Sequence, residues 1–220
     1  MSTYATDYLE VIERLPDGAM LRLEGISWDE YERLLEELTE WRGMRVSYDQ
    51  GRVEIMSPSL QHEKYIGVIS RMAHILSEEM GLAVEFAGPT TYKQERLLKG
   101  SEGDESFYVQ NANAVIGKLE IDLDIDPPPD VVVEVDITSE SIGKFPIYAA
   151  FGVPEIWRYD GKQVRIYLLA DQDYVETSAS LSFPCLTALA MTEFLEQSKT
   201  QGQSEALAAF RQWVRAAIKA

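Results

Sequence analysis

One segment, residues 131–137, constrains the fold of this chain more than any other. Its sequence, Val-Val-Val-Glu-Val-Asp-Ile, is rich in β-branched side chains, as expected of a central strand that is covered on both faces. Before it, apolar residues recur at helical spacing across residues 62–80. After it, residues 143–151 end at Gly152 and Pro154, as a short helix does. The pattern predicts an α/β (α+β) fold in which helices flank a central mixed sheet.

Helix and strand signals elsewhere complete this pattern. The capping box Ser-Trp-Asp-Glu at residues 27–30 predicts a helix over residues 28–41. Two further helices, at residues 192–198 and 204–220, are expected to close the chain. Strands are predicted at residues 45–48, 52–56, 83–86, 90–93, 106–109, 155–159, 163–169 and 173–177.

A chain of 220 residues is long enough for one domain with a terminal appendage. We predict one domain over residues 1–198, which includes an N-terminal helical and hairpin extension, and a C-terminal helix over residues 199–220. That helix carries an apolar stripe, which either packs on the domain or forms a surface for a partner. The stripe consists of Leu207, Phe210, Trp213, Val214 and Ala217.

The formal net charge of −17 argues against tight, non-specific binding to DNA, because affinity for polyanions comes largely from lysines and arginines. The acidic surplus is equally compatible with carboxylates gathered at a cation or with a basic protein partner. No apolar run approaches the ~20 residues of a membrane span, and residues 1–15 lack a signal-peptide pattern, so we expect a cytoplasmic protein. The one cysteine, Cys185, is expected to be a buried free thiol.

The glutamate inside the predicted central strand requires an explanation, because burying an ionised carboxylate is costly. A divalent cation at an active site would compensate Glu134; the alternative is a salt bridge to a lysine or arginine. Asp136 shares its face two positions on, so a second ligand would come from Asp136 or from a neighbouring strand. Asp130 lies roughly 13 Å away at ~3.3 Å per residue, too far to share one ion directly, and is better explained as the first residue of the strand.

Several motifs around this strand resemble the Uma-type restriction-endonuclease family, which is assigned to the PD-(D/E)xK nuclease superfamily. They are Pro-Asp-Val-Val-Val-Glu-Val at residues 129–135, Lys144, Tyr148, Gly-Val-Pro-Glu-Ile-Trp at residues 152–157, Ser57-Pro58 with His62, and Asp-Glu-Ser-Phe-Tyr at residues 104–108. The resemblance covers about residues 45–167. It implies a restriction-endonuclease-like fold.

The resemblance also implies which residues form the site. The superfamily's metal-binding aspartate would be Asp104 and its acidic partner Glu134, on adjacent strands that direct both carboxylates to one Mg²⁺ or Mn²⁺ ion. The superfamily's lysine usually lies two residues after the glutamate, a position that Asp136 holds here. In the family that this chain resembles, a helix lysine replaces it, and the match is Lys144.

Two positions near the site stay open. The helix-borne acidic residue of the superfamily would be Glu63, whereas His62 is the residue that matches the family, and either could hold a metal-bound water. An ordinary hydrogen-bonded polar residue at the start of a helix explains His62 equally well. Gly103 stands where the family usually has proline before the aspartate.

The activity that the resemblance implies is metal-dependent hydrolysis of DNA phosphodiester bonds, with weak or sequence-selective binding because of the acidic charge. Lys93, Arg96 and Lys99 are candidates for contact with DNA phosphates, although an ordinary solvated strand and turn explains them as well. No phosphate-cradling glycine loop, nucleophile elbow or paired-cysteine motif indicates another chemistry. The alternative function is a non-catalytic interaction module that uses the acidic surface and the C-terminal stripe. With either function, we expect the protein to form a homodimer.

Overall fold

The computed structural model describes residues 4–38, 43–137 and 141–219. The helices in these ranges are α1 (Tyr4–Glu13), α2 (Trp28–Leu38), α3 (Leu60–Met80), α4 (Ala112–Val115), α5 (Phe145–Phe151), α6 (Ala188–Gln201) and α7 (Gln203–Ala217). The strands are β1 (Met20–Glu24), β2 (Arg45–Asp49), β3 (Arg52–Met56), β4 (Glu85–Phe86), β5 (Thr91–Gln94), β6 (Lys99–Glu102), β7 (Glu105–Tyr108), β8 (Val131–Val135), β9 (Glu155–Tyr159), β10 (Val164–Ala170) and β11 (Asp173–Thr177). Short 3-10 turns occupy Glu95–Leu97 and Ser141–Lys144. Across the described ranges, no helix combines the length and the apolar character needed to cross a membrane.

The strands form two sheets, whereas the sequence predicts one central sheet. The first sheet is antiparallel throughout, in the order β1-β3-β2-β6-β5, and contains the predicted hairpin of β2 and β3. The sequence does not predict β1 or β6. The sequence of β6, Lys-Gly-Ser-Glu, lacks β-branched residues, so this strand depends on pairing with β2 and β5 rather than on local preference.

The second sheet is the expected mixed sheet, in the order β11-β10-β9-β8-β7-β4. In it β8 runs parallel to β9, and the other neighbouring strands are antiparallel. Every residue of β8 is buried, which confirms the predicted central strand, although β8 ends at Val135 rather than at residue 137. Beyond that end, the Asp136 N–H still donates to the Tyr159 carbonyl at 2.7 Å. The α/β fold class is therefore confirmed.

Helices cover both faces of the second sheet, and the alternation of side chains along β8 decides which residues face which helices. Val131, Val133 and Val135 pack in a core with α3, α6 and α7. Val132 packs in a separate core with α5. Because side chains alternate along a strand, Glu134 lies on the same face as Val132, toward α5.

The long helix α3 ends as the sequence predicts and begins two residues before the predicted start, at Leu60. The Ser59 hydroxyl accepts a hydrogen bond from the His62 N–H at 3.3 Å, and Gly81 ends the helix in the left-handed conformation, with a φ of 65°. Cys185 is a free thiol near the end of this helix, beside the Met80 sulfur. It is only partly buried, so the prediction of a buried thiol is correct in part.

The C-terminal helix α7 packs on the body of the protein. Phe210 and Val214 are fully buried in the core that contains α3, and Trp213 packs against that core. The structure therefore favours packing over a free partner surface for this stripe. Helix α6 runs through residue 198, the predicted end of the domain, and that boundary stays a prediction. The predicted end of α2 at residue 41 lies outside the described residues.

Two stacked tyrosines, one on α2 and one on β2 of the first sheet, lead to opposite predictions for the stability of their phenylalanine variants. The rings of Tyr31 and Tyr48 are 4.7 Å apart; the Tyr48 hydroxyl donates to the Ile26 carbonyl at 3.1 Å, whereas the buried Tyr31 hydroxyl has no hydrogen-bond partner. We expect Tyr31→Phe to raise the free energy of unfolding by about 1 kcal/mol and Tyr48→Phe to lower it by about as much, because only the second loses a hydrogen bond. Urea unfolding of both variants measures the difference. A clear loss of stability in Tyr31→Phe would refute this prediction.

Candidate active site

The two predicted metal carboxylates lie near each other, where β7 begins and β8 ends. Glu105, the first residue of β7, pairs with Val133 of β8, and Asp104 immediately precedes Glu105. The Asp104 N–H also donates to the Val133 carbonyl at 3.0 Å. This hydrogen bond holds Asp104 at the end of β8, and Asp104 and Glu134 line the same cavity.

Glu134 is buried against α5 and the turn that precedes it. Lys144 Nζ donates to both Glu134 carboxylate oxygens, at 3.0 and 3.2 Å, and to the Glu102 carbonyl at 3.1 Å. The Tyr148 hydroxyl donates to Glu134 Oε1 and accepts from the Ser101 hydroxyl at 3.1 Å. The salt bridge that offers the alternative explanation of Glu134 therefore exists. Its cation is the lysine that the family resemblance assigns to the site.

Asp104 is also buried, and its two oxygens have different surroundings. Oδ2 accepts hydrogen bonds from the Val135 N–H at 2.7 Å and from His62 Nε2 at 3.0 Å. Oδ1 has no hydrogen-bond partner and lies 3.6 Å from Arg45 Nε. The bonds to Oδ2 hold the carboxylate in place, so Oδ1 is the oxygen that is free to bind a ligand.

The two helix-side candidates, both in the first turn of α3, differ in position. His62 is buried and contacts the Asp104 carboxylate directly. The Glu63 side chain is half-exposed and lies 3.6 Å from Arg45 Nη2 and 3.8 Å from His62 Nδ1. The structure thus brings His62 to the carboxylate pair and leaves Glu63 at the edge of the site. A catalytic role for either residue stays a prediction.

The other two aspartates have partners of their own. Asp136 forms a buried salt bridge with Arg158 on β9. It also lines the cavity beside Glu134, so its role as a metal ligand stays a prediction. Asp130 accepts hydrogen bonds from the Val109 N–H at 2.7 Å and from the Asn111 N–H and side-chain amide at 2.8 and 2.7 Å. These bonds match the interpretation of Asp130 as a structural residue at the start of the strand.

Each of the three basic residues considered for DNA phosphates is paired with a carboxylate. The pairs are Lys93 with Glu32 at 2.5 Å, Arg96 with Asp124 at 3.3 Å, and Lys99 with Asp49. Pairs of this kind near the surface add little stability. They do place a negative charge where a DNA phosphate would have to approach, which favours the interpretation as an ordinary solvated strand and turn.

Burial and neighbouring charges shift the ionisation of the site. Burial raises the pKa of Glu134 to about 8, against the opposing effect of the Lys144 ammonium. Burial alone would raise the pKa of Asp104, but the hydrogen bond from His62 and the charge of Lys144 outweigh it, and the pKa is lowered. Burial alone would lower the pKa of Lys144, but the two carboxylates outweigh it and raise that pKa. At neutral pH Lys144 is therefore charged and Asp104 ionised, while the raised pKa of Glu134 favours its protonated form.

A cavity of about 20 Å³ lies among these side chains, enough for about one water molecule or small ion. Within the described ranges, no group of three or more His, Cys, Asp or Glu residues is arranged as a complete metal site. Asp104 and Glu134 nevertheless fit Mg²⁺ or Mn²⁺, because Mg²⁺ is usually held by one or two carboxylates and keeps several waters. The buried Asp104 Oδ1, which lacks a hydrogen bond, supports this fit.

Sequence reasoning missed Arg45 as a side chain of the site, and it named Tyr148 in the family resemblance without assigning a role to its hydroxyl. Arg45 lies on β2 of the first sheet, which the sequence assigns to an N-terminal extension, and no local pattern links that strand to β8. Tyr148 occupies an apolar position of α5. A signal for it was available, because residues four apart on a helix lie on one face and Tyr148 follows Lys144 at that spacing.

Gly103 joins β6 of the first sheet to β7 of the second, immediately before Asp104. A Cβ atom here would lie 2.7 Å from Val132 Cγ1, so any larger residue would require the Val132 side chain to shift. We expect Gly103→Ala to lower the free energy of unfolding by about 1–3 kcal/mol, because the core must shift to admit the methyl group. The matched control is Gly67→Ala in α3, where an added Cβ meets nothing within 4 Å. Urea unfolding that finds the two variants equally stable would rule out this close contact.

Comparison with known proteins agrees with the resemblance seen in the sequence. No curated protein matches the chain. The fold is similar to the solved structure of "a putative nuclease belonging to DUF820 from Anabaena variabilis", with 14% identity, a TM-score of 0.47, and coverage of 67% of this chain and 89% of that chain. The family model "Uma2: Putative restriction endonuclease" matches residues 28–199, which include every predicted site residue. The chain therefore belongs to the Uma2 family.

Proposed function

We propose that this protein is a divalent-metal-dependent endonuclease that hydrolyses DNA phosphodiester bonds. The observation that carries the proposal is that Asp104 and Glu134 line one cavity, with Lys144 bonded to Glu134. Membership of the Uma2 family supports nuclease function in general. The metal, the reaction and the DNA substrate are the steps that this proposal adds.

In this proposal each side chain of the site has a separate role. Asp104 Oδ1 and Glu134 would hold Mg²⁺ or Mn²⁺, which when bound activates water and neutralises charge on the phosphate. His62 and the Val135 N–H hold Asp104 Oδ2, and so keep Oδ1 directed into the cavity. Lys144 would donate to the attacking water or to the negative charge that develops on the phosphate.

The Tyr148 hydroxyl would keep Glu134 in place when Lys144 turns toward the substrate. Burial and the Glu134 carboxylate raise the pKa of Tyr148 well above its ordinary value, so its hydroxyl remains a donor at neutral pH. A second bond, from the Ser101 hydroxyl, fixes the position of this oxygen. Glu134 therefore has one donor that does not depend on Lys144.

The alternative, a non-catalytic interaction module, has less support in the structure than in the sequence. This alternative relies on the apolar stripe of α7, but Phe210 and Val214 of that stripe are fully buried within the protein. The acidic surface is still compatible with this alternative. For the nuclease function, the same acidic charge predicts weak or sequence-selective DNA binding whose affinity decreases as the salt concentration rises. A homodimer stays a prediction.

The test is incubation of supercoiled plasmid and of single-stranded DNA with the protein in Mg²⁺, in Mn²⁺ and in EDTA, at low and at moderate salt. We expect nicking or linearisation that requires the metal and declines with salt. Cleavage that persists in EDTA would contradict the metal-dependent reaction. If every substrate stays intact, the interaction-module hypothesis is favoured.

A further inference from the structure

Buried polar atoms without a partner are concentrated at the candidate active site. In the described part of the chain there are four such side-chain atoms, and three of them are Arg45 Nε, His62 Nδ1 and Asp104 Oδ1. Buried polar groups are normally hydrogen-bonded, so each exception needs an explanation. Asp104 Oδ1 is an acceptor, which suits a cation. Arg45 Nε is a donor, which suits an anion.

Arg45 is placed for contact with an anion in the cavity. The residue is only 7% exposed and lines the cavity together with Asp104 and Lys144. Its Nη1 donates to the Gly43 carbonyl at 3.1 Å, which anchors one side of the guanidinium. Nε faces Asp104 Oδ1 and Nη2 faces Glu63 Oε1, each at 3.6 Å, which is too long for a hydrogen bond. The two carboxylates therefore balance the charge of Arg45 but leave its Nε–H unused.

Two basic side chains that line the cavity come from different parts of the fold. Lys144 comes from the turn before α5, beside the second sheet, and Arg45 comes from β2 of the first sheet. Ser47, also on β2, and Glu54 of β3 line the same cavity. The first sheet is therefore one wall of the site rather than a separate extension. The cavity of about 20 Å³ is too small for a whole phosphate group, so a phosphate would present one oxygen to the two basic side chains.

Phosphate is the anion that this arrangement suits best. A guanidinium offers several N–H donors in a plane and matches the oxygens of a phosphate group. The basic side chains of Lys93, Arg96 and Lys99 each form an ion pair with a carboxylate. Arg45 has a buried donor that no neighbour uses.

We propose that Arg45 is a phosphate-binding residue of this site and that the first sheet contributes it to grip the DNA backbone. The inference rests on the proposed nuclease function, and it adds the residue that contacts the substrate phosphate. It also assigns a function to β2, which the sequence treats only as part of a hairpin.

The test measures binding of a short DNA duplex by fluorescence anisotropy over a series of salt concentrations, in EDTA and again in Ca²⁺. Native protein is compared with Arg45→Met, Arg45→Lys and the control Arg165→Met, which removes the same charge from β10, where Arg165 pairs with Asp160. We expect Arg45→Met to weaken binding about tenfold and to lower the slope of log affinity against log salt by about one. Arg45→Lys should weaken binding severalfold and keep the slope, because it retains the charge but not the planar donors. Arg165→Met should bind like the native protein.

Thermal unfolding checks that each variant is folded. If Arg45→Met does not fold, the binding of Arg45→Lys alone tests the proposal. Native affinity and slope in the folded Arg45 variants, an equal loss in Arg165→Met, or no DNA binding by the native protein would overturn the proposal. The same samples are then assayed for nicking in Mg²⁺ and Mn²⁺. Binding that depends on Arg45 without any cleavage would overturn the nuclease function and leave the phosphate site standing.

Discussion

Asp104→Asn and Glu134→Gln are each expected to reduce metal-dependent DNA cleavage by roughly 100- to 1,000-fold or more, because each removes a charged ligand from the proposed metal site. Both substitutions keep the size of the side chain. In Glu134→Gln, the Tyr148 hydroxyl can still donate to the amide oxygen that takes the place of Glu134 Oε1. The loss of cleavage is measured on the folded variants, because Glu134→Gln also removes the charge that pairs with Lys144.

Initial rates of plasmid nicking at saturating Mg²⁺ measure this effect, with Asp124→Asn as the control. Asp124 is an exposed carboxylate that pairs with Arg96, so its loss removes one charge without touching the cavity. We expect the control to cut at close to the native rate. Variants of Asp104 and Glu134 that cut as fast as Asp124→Asn would exclude these residues from the reaction.

The second large effect concerns stability. Glu134→Ala should lower the free energy of unfolding by about 3–5 kcal/mol, because it leaves the buried Lys144 ammonium without its partner. Lys144→Ala should lower it by less, because the raised pKa of Glu134 lets this carboxyl take up a proton. The double variant should cost less than the sum of the two, by about 1–3 kcal/mol, because the unpaired charge is then absent.

Urea unfolding of the four proteins in this double-mutant cycle gives the coupling energy. The exposed pair Arg96 and Asp124 serves as the comparison, with a coupling expected below about 1 kcal/mol. Strict additivity of Glu134→Ala and Lys144→Ala would show that the two side chains do not interact in the folded protein. The proposed arrangement of the site would then have to be abandoned.

Local sequence patterns predict most of the second sheet, because its strands carry strong signals of their own. The β-branched run of β8 and the segment that becomes β9 are recognisable without tertiary information. The burial cost of Glu134 also predicts, from the residue alone, that a cation must lie nearby. In the structure that cation is Lys144.

Other parts of the site depend on contacts that no local pattern contains. Asp104 becomes the neighbour of Glu134 only through the register of β7 on β8, and here the family resemblance, not the spacing, indicated the pair. Arg45 reaches the cavity because the first sheet packs beside the second, which the weak signals of β6 and β1 could not predict. Arg158 meets Asp136 only because β9 runs parallel to β8.

The most direct test of the central claim, that Asp104 and Glu134 form a divalent-metal site, is a titration with Mn²⁺ followed by electron paramagnetic resonance, which distinguishes free from bound ion. The native protein is expected to bind Mn²⁺. Because burial raises the pKa of Glu134 to about 8 and the ion needs the ionised carboxylate, the affinity should fall as the pH drops below about 8. Asp104→Asn and Glu134→Gln should abolish the binding, and Asp124→Asn should preserve it. Absence of binding by the native protein, or binding that both site variants retain, would contradict the account.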